Sequence, residues 1–158
     1  PVRLKELHDG AIPSGNSVAF LNTLRLSRIT GDDALEKEAR EIAGAFGGPA
    51  GASPTAFAHF LCGLDFAVGP ASEVILAGKE GAPDAQALLG ALRRSFTPNK
   101  VVIFRPEDTG GADIEAISPR VRSRVCIGGR ATAYVCSGFA CRLPATDPEQ
   151  MMALLNGK

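Results

Sequence analysis

His8-Asp9-Gly10-Ala11-Ile12-Pro13-Ser14-Gly15-Asn16-Ser17 gathers an imidazole, a carboxylate, an amide and two hydroxyls directly ahead of the apolar segment Val18 to Ile29. Asp9 and His8 are the groups here with acid–base capacity, which makes them the candidate catalytic residues. Ser14, Asn16 and Ser17 are the candidate substrate-binding residues. At a helix start their side chains join free backbone N–H groups in an array suited to a polyol or sugar. Acid–base work on a sugar usually takes two carboxylates or histidines, so partners beyond Asp9 and His8 would have to come from another part of the protein. The same residue types also have a plainer use: Asn16 or Ser17 caps the helix while Gly10, Pro13 and Gly15 shape the turn.

Other chemistry-bearing residues are scattered. His59 stands within a helix among Phe and Ala, where a hydrogen-bonded core or interface histidine is expected. Neither H-x-x-x-H nor C-x-x-C spacing is present, so no metal site is expected. Cys136-Ser137-Gly138-Phe139-Ala140-Cys141 is a C-x4-C segment at the end of a strand. Residues five apart on a strand face opposite ways, so a disulfide would require Gly138 to make a turn or bulge; buried reduced thiols are the expectation, a redox pair the alternative. Arg120, Arg122 and Arg124 alternate with Val121, Ser123 and Val125. If extended, they share one face, either as an anion or partner site or as charges guarding an edge strand. The glycines at 47–51 lack the Lys-Ser/Thr of a phosphate loop, and no cofactor is expected.

Composition sets the frame for these residues. A chain of 158 residues can form one domain or two small subdomains. With 17 basic and 17 acidic residues the formal net charge is zero, so there is no global pull toward nucleic acid or membrane surfaces. No apolar run approaches the length that crosses a bilayer. The four cysteines are too few for a disulfide scaffold, which points to reduced thiols and a cytoplasmic protein. The sequence starts at Pro1 rather than Met, so a piece of a longer chain is expected.

The elements that must position these groups follow from periodicity. A helix from Asn16 or Ser17 to about Thr30 has apolar residues around most of its circumference and should be largely buried. Gly31 stops it, and Asp32 caps a second helix whose stripe is Leu35, Ala39, Ile42, Ala43 and Phe46. Gly47 to Ala52 should break that helix, and Ser53-Pro54 should cap and start a third, lined by Phe57, Phe60, Leu61, Leu64 and Val68. Gly69-Pro70 is the expected seam. Beyond it, strand 73–77, a helix from Pro83 with Ala85, Leu88, Leu89, Leu92 and Phe96 on one face, and strand 100–104 form a βαβ unit with parallel strands. Residues 106–113 read as loop, 114–117 as one helical turn and 131–136 as a third strand. Asp147-Pro148-Glu149-Gln150 then opens a last helix. The fold class is α+β: a helical segment at 1–69, followed by a small β-α-β-β-α unit at 70–158 with a partly parallel sheet.

Two ends of the chain carry a resemblance. His8 to Ala19 with Leu24-Arg25-Leu26 and Thr30-Gly31-Asp32, and Ala131 to Cys136 with Phe139-Ala140-Cys141 and Pro144 to Glu149, resemble the thioredoxin-domain-containing family that includes spermatogenesis-associated protein 20. The resemblance implies the C-terminal part of a protein with an N-terminal thioredoxin-like domain and an α/α toroid similar to six-hairpin glycosidases. Residues 1–69 would be the last toroid helices, and the 8–17 loop would line a cavity open to a carbohydrate or polyol. The alternative is a non-catalytic interaction or structural module supporting the thioredoxin-like domain. Cut out of a toroid, the segment would leave apolar helix faces uncovered, so self-association through the first and third helices is expected.

Overall fold

Ser14 rather than Asn16 opens the first helix, α1 (Gly15–Thr30), with its hydroxyl accepting from the Ser17 N–H. The structure is a computed structural model that describes residues 6, 8–108, 110–138 and 140–157, so Phe139 of the C-x4-C segment lies outside the described residues. The chain divides into two compact units, Pro1–Pro70 and Ala71–Lys158. Helices with a four-stranded mixed sheet make it an α+β protein.

In the first unit α1 buries one face, through Phe20, Leu21 and Leu24, while Val18 and Leu26 are exposed. It is thus less enclosed than its apolar content suggests. Gly31 ends it in the left-handed conformation, and the Asp32 carboxylate accepts from Ala34 N–H to start α2 (Asp33–Ala52). The glycine-rich stretch expected to break α2 continues it instead, with Pro49 inside the helix. A proline near a helix end removes one backbone bond, and burial of the following Ala50 anchors the last turn against that loss. A 3-10 turn (Pro54–Phe57) then leads into α3 (Ala58–Val68). Ser53 makes no side-chain cap. Phe57, Phe60, Gly63 and Phe66 face inward, whereas Val68 is 83% exposed. Phe66, on the far side of the expected stripe, therefore takes the place assigned to Val68.

Four aromatic rings hold this unit together. Phe60 packs against Phe20, Phe46 and Phe57 with centroids 4.8, 5.9 and 6.3 Å away. The close approach of α1 and α3 depends on Gly63, because a Cβ there would lie 2.5 Å from Phe20 Cδ1. The Phe20 ring is 1% exposed, so it would have to shift within a packed core to admit that methyl group. We expect Gly63→Ala to lower stability by about 1–3 kcal/mol through overpacking, outweighing the gain of about 1 kcal/mol in helix propensity. Thermal unfolding followed by circular dichroism reads this directly; an unchanged or higher Tm would contradict it.

The second unit is built on β1 (Ser72–Gly78), which pairs in parallel with β2 (Lys100–Pro106) and antiparallel with β3 (Thr132–Ser137). A two-residue strand, β4 (Ala140–Cys141), pairs with β3, giving the order β2-β1-β3-β4. The crossover helix α4 (Pro83–Arg94) buries Ala85, Leu88 and Leu92 as its periodicity requires. It ends before Phe96, which is 93% exposed rather than on the buried stripe, because Ser95 has turned extended. With α6 (Pro148–Leu155) it covers one sheet face, where Val74, Leu76, Ala133 and Val135 form a core with Leu88 and Met151. Asp147 caps α6 through the N–H groups of Glu149 and Gln150. Helix α5 (Gly111–Ile117) starts inside the stretch read as loop, and Pro119–Val121 is a 3-10 turn. Arg120, Arg122 and Arg124 are therefore not on a strand. Pro119 fixes a turn conformation at that point, and the alternation of charge with Val121 and Val125 reflects the burial of Val121 alone.

Candidate functional site

The polar loop is knotted onto the start of α3 by Asp9. Its Oδ1 accepts from Ser14 N–H at 2.8 Å, and its Oδ2 accepts from His59 N–H at 2.7 Å and Phe60 N–H at 3.1 Å. Burial by itself pushes this carboxyl up, but the bonds from Ser14, the Ser17 side chain, Phe60 and His59 together hold it below its ordinary value. The group is an ionised acceptor with both oxygens engaged. Asp9 N–H in turn donates to Ala56 O at 2.8 Å.

The other loop candidates are similarly occupied. Ser14 and Ser17 are buried, with their hydroxyls bonded to one another at 2.9 Å. Asn16 Nδ2 donates to Glu6 O. His8 is exposed, its ring tilted against Phe57 with centroids 5.1 Å apart. The structure thus brings Asp9, Ser14 and Ser17 into one bonded cluster and turns His8 toward solvent. Asp9 is the N-terminal cap of a helix fifty residues further on, a role that no local spacing could reveal.

Two further sites lie in the second unit. A pocket of about 240 Å³ sits where β1 and β2 end, lined by Lys79, Asp84, Glu107, Cys126 and Gly129 among others. The carboxyl ends of parallel strands are where open α/β sheets commonly hold ligands. Here its acids act as braces. Asp84 Oδ2 accepts from Ala131 N–H at 2.7 Å, the largest influence holding that carboxyl below its ordinary value, and Oδ1 accepts from Ala85 N–H. Glu107 Oε1 accepts from Cys126 N–H at 2.6 Å. Burial first, and then Glu107, push the Cys126 thiol up to about 11. Among the described residues no group of His, Cys, Asp or Glu is arranged to hold a metal ion. We expect iodoacetamide at pH 8 to label the exposed Cys62 and spare Cys126, whose labelling should rise only as pH approaches 11. Peptide mapping by mass spectrometry checks this, and equal labelling of both at pH 8 would refute it.

The second site corrects the expectation of reduced thiols: Cys136 and Cys141 form a disulfide. Gly138, at φ 56°, makes the turn that the spacing demanded, and the two cysteines become direct partners across β3 and β4. On the other side Cys136 is the register partner of Glu73 on β1, so Glu73, Cys136 and Cys141 form one row across the sheet. Glu73 is only 2% exposed, and a carboxyl residue directly ahead of the apolar run Val74-Ile75-Leu76 is the sequence signal that marks this place. Arg120 and Arg124 complete the lining of a pocket of about 60 Å³ with Glu73, Ile75, Cys136 and Cys141. Arg124 Nη2 donates to Cys141 Sγ at 3.3 Å, and its guanidinium carbon lies 5.3 Å from the centroid of the Tyr134 ring.

Comparison with known proteins gives one consistent result. The chain is 31% identical to spermatogenesis-associated protein 20 of Homo sapiens over 156 residues, covering 99% of this chain and 20% of that protein. The Mus musculus and Rattus norvegicus proteins of the same name match at the same identity and coverage. The chain therefore spans about a fifth of the length of the curated relatives it matches, in their C-terminal region. No protein-family model matches it, and no solved structure does.

Proposed function

We propose that this chain, related to spermatogenesis-associated protein 20, is the C-terminal part of a longer protein and serves there as a non-catalytic structural and interaction module. In this reading the first unit closes an α/α toroid, the whole protein carries an N-terminal thioredoxin-like domain, and the 8–17 loop is a latch between helices rather than a catalytic wall. One observation carries the latch reading: both Asp9 oxygens are engaged by backbone N–H groups of Ser14, His59 and Phe60. A general acid or base must reach the proton it moves, and this carboxylate is turned into the protein backbone.

The test uses the full-length protein, titrated calorimetrically with monosaccharides, oligosaccharides and polyols before and after Asp9→Asn. A module of this kind shows lowered thermal stability in the variant and no difference in sugar heats. Unchanged stability with loss of a sugar-binding heat would overturn it and restore the carbohydrate-cavity reading. That second reading is favoured by the outward position of His8, a loop group with acid–base capacity that is exposed to solvent. The interaction role is tested by affinity capture with and without residues 71–158, and the proposed self-association of residues 1–158 by light scattering.

A further inference from the structure

We propose that Cys136 and Cys141 form a reversible thiol–disulfide exchange site, whose co-reactant is a dithiol, and that Cys141 is its exchanging sulfur. The two sulfurs sit in unlike surroundings. Cys136 is 4% exposed, in the middle of β3, whereas Cys141 is exposed on the short outer strand. Exchange requires a nearly linear approach of a thiolate to one sulfur, so access alone directs attack to Cys141.

Charge points to the same atom. Arg124 Nη2 is bonded to Cys141 Sγ, and its guanidinium is steadied over Tyr134, whose hydroxyl donates to Val125 O at 2.7 Å. A fixed cation beside a sulfur stabilises the thiolate over the thiol, which favours both its release and its later nucleophilic attack. A disulfide serving only to staple the hairpin would need neither the cation nor the exposed position of Cys141. The hairpin is already held by the β3–β4 pairing and by Arg142 N–H donating to Val135 O at 2.9 Å.

One thiolate of the dithiol attacks Cys141 Sγ, the Cys136–Cys141 bond breaks, and Cys136 leaves as a thiolate that takes a proton from solvent. The second thiol of the dithiol, deprotonated, attacks its own sulfur in the mixed disulfide and releases Cys141 as a thiolate held by Arg124. Two electrons pass to the protein pair, and the dithiol is oxidised to its disulfide. In the reverse direction Cys141 thiolate attacks an external disulfide, and Cys136, one strand away, resolves the adduct.

The experiment equilibrates the full-length protein with reduced and oxidised dithiothreitol in varied ratio, then quenches, alkylates and maps the cysteine peptides by mass spectrometry. The pair should open and close reversibly while the far-ultraviolet circular dichroism stays native. Reduced and oxidised glutathione should leave its adduct on Cys141 and not on Cys136. Arg124→Gln should slow alkylation of reduced Cys141 at pH 7 about tenfold, the effect of raising its thiol by one pKa unit. Arg124→Lys, which keeps the charge, should recover most of the rate. Opening of the bond only on unfolding, an adduct on Cys136, or an alkylation rate indifferent to Arg124→Gln would each overturn the assignment. Should Arg124→Gln fail to fold, adduct mapping on the unsubstituted protein decides.

Discussion

Asp9→Ala is expected to destabilise the first unit by about 3 kcal/mol, more than an ordinary helix cap contributes. The carboxylate serves three backbone donors, and alanine leaves the N–H groups of Ser14, His59 and Phe60 together without it. Two of these open α3, where helix N–H groups have no internal partner, so the helix start should fray. Urea denaturation would give the magnitude, and faster amide exchange at 59 and 60 would give the place. The same bond set fixes an acid dependence. A carboxyl held below its ordinary value of 3.8 contributes stability that is complete above that value and lost as pH falls through the lower folded value. Asp84 behaves in the same direction in the second unit. Unfolding in the range below pH 4 should therefore be shallower in Asp9→Asn than in the unsubstituted chain. A parallel acid curve for the two would remove Asp9 from this role.

Phe60→Ala is expected to cost about 3–5 kcal/mol, enough to unfold a unit of this size. The ring is buried and meets Phe20, Phe46 and Phe57, so one truncation opens a cavity and removes three aromatic contacts at once. Phe60→Leu should recover part of the loss, since it restores volume without the ring geometry. Thermal unfolding monitored at helical wavelengths measures both. A loss below about 1 kcal/mol would mean that the surroundings collapse freely onto the gap, contrary to the packing seen.

Which parts of this fold could be read beforehand follows from the range of the forces involved. The Ala85, Leu88 and Leu92 stripe and the Asp147 cap are each written within a few residues, and the parallel β1–β2 pairing follows from consecutive local elements joined by a crossover helix. Local rules were enough there. Gly47 to Ala52 looked like a break because glycine and proline disfavour helices locally, yet Ala50 is drawn into the core and the helix persists. Phe96 fitted the helical period, but the chain had left the helix one residue earlier. The site depended still more on distant residues. Loop composition marked Asp9 as polar and placed, but its partners lie on α3. Residues five apart on a straight strand face apart, and it is a left-handed Gly138 that folds the chain back between the two cysteines. Arg124 reaches Cys141 only because 122–124 follow a turn rather than a strand.

The shortness of β4 has a bearing on how this protein behaves at high concentration. Below its two residues the chain stays beside β3: Ala133 and Ala145 exchange both backbone bonds, at 2.7 and 2.9 Å, and Pro144 interrupts the ladder just before that point. The outer margin of β3 is thus occupied by the protein's own irregular tail, which offers no regular row of donors to a second molecule. That leaves β2 as the margin where a foreign strand would add, and β2 opens with Lys100 and closes with Arg105 and Pro106. Charge at both ends, and a residue without an N–H at one, discourage templated stacking there. The margins of the sheet are thus guarded, one by irregular chain and the other by charge and proline, independently of how stable its centre is.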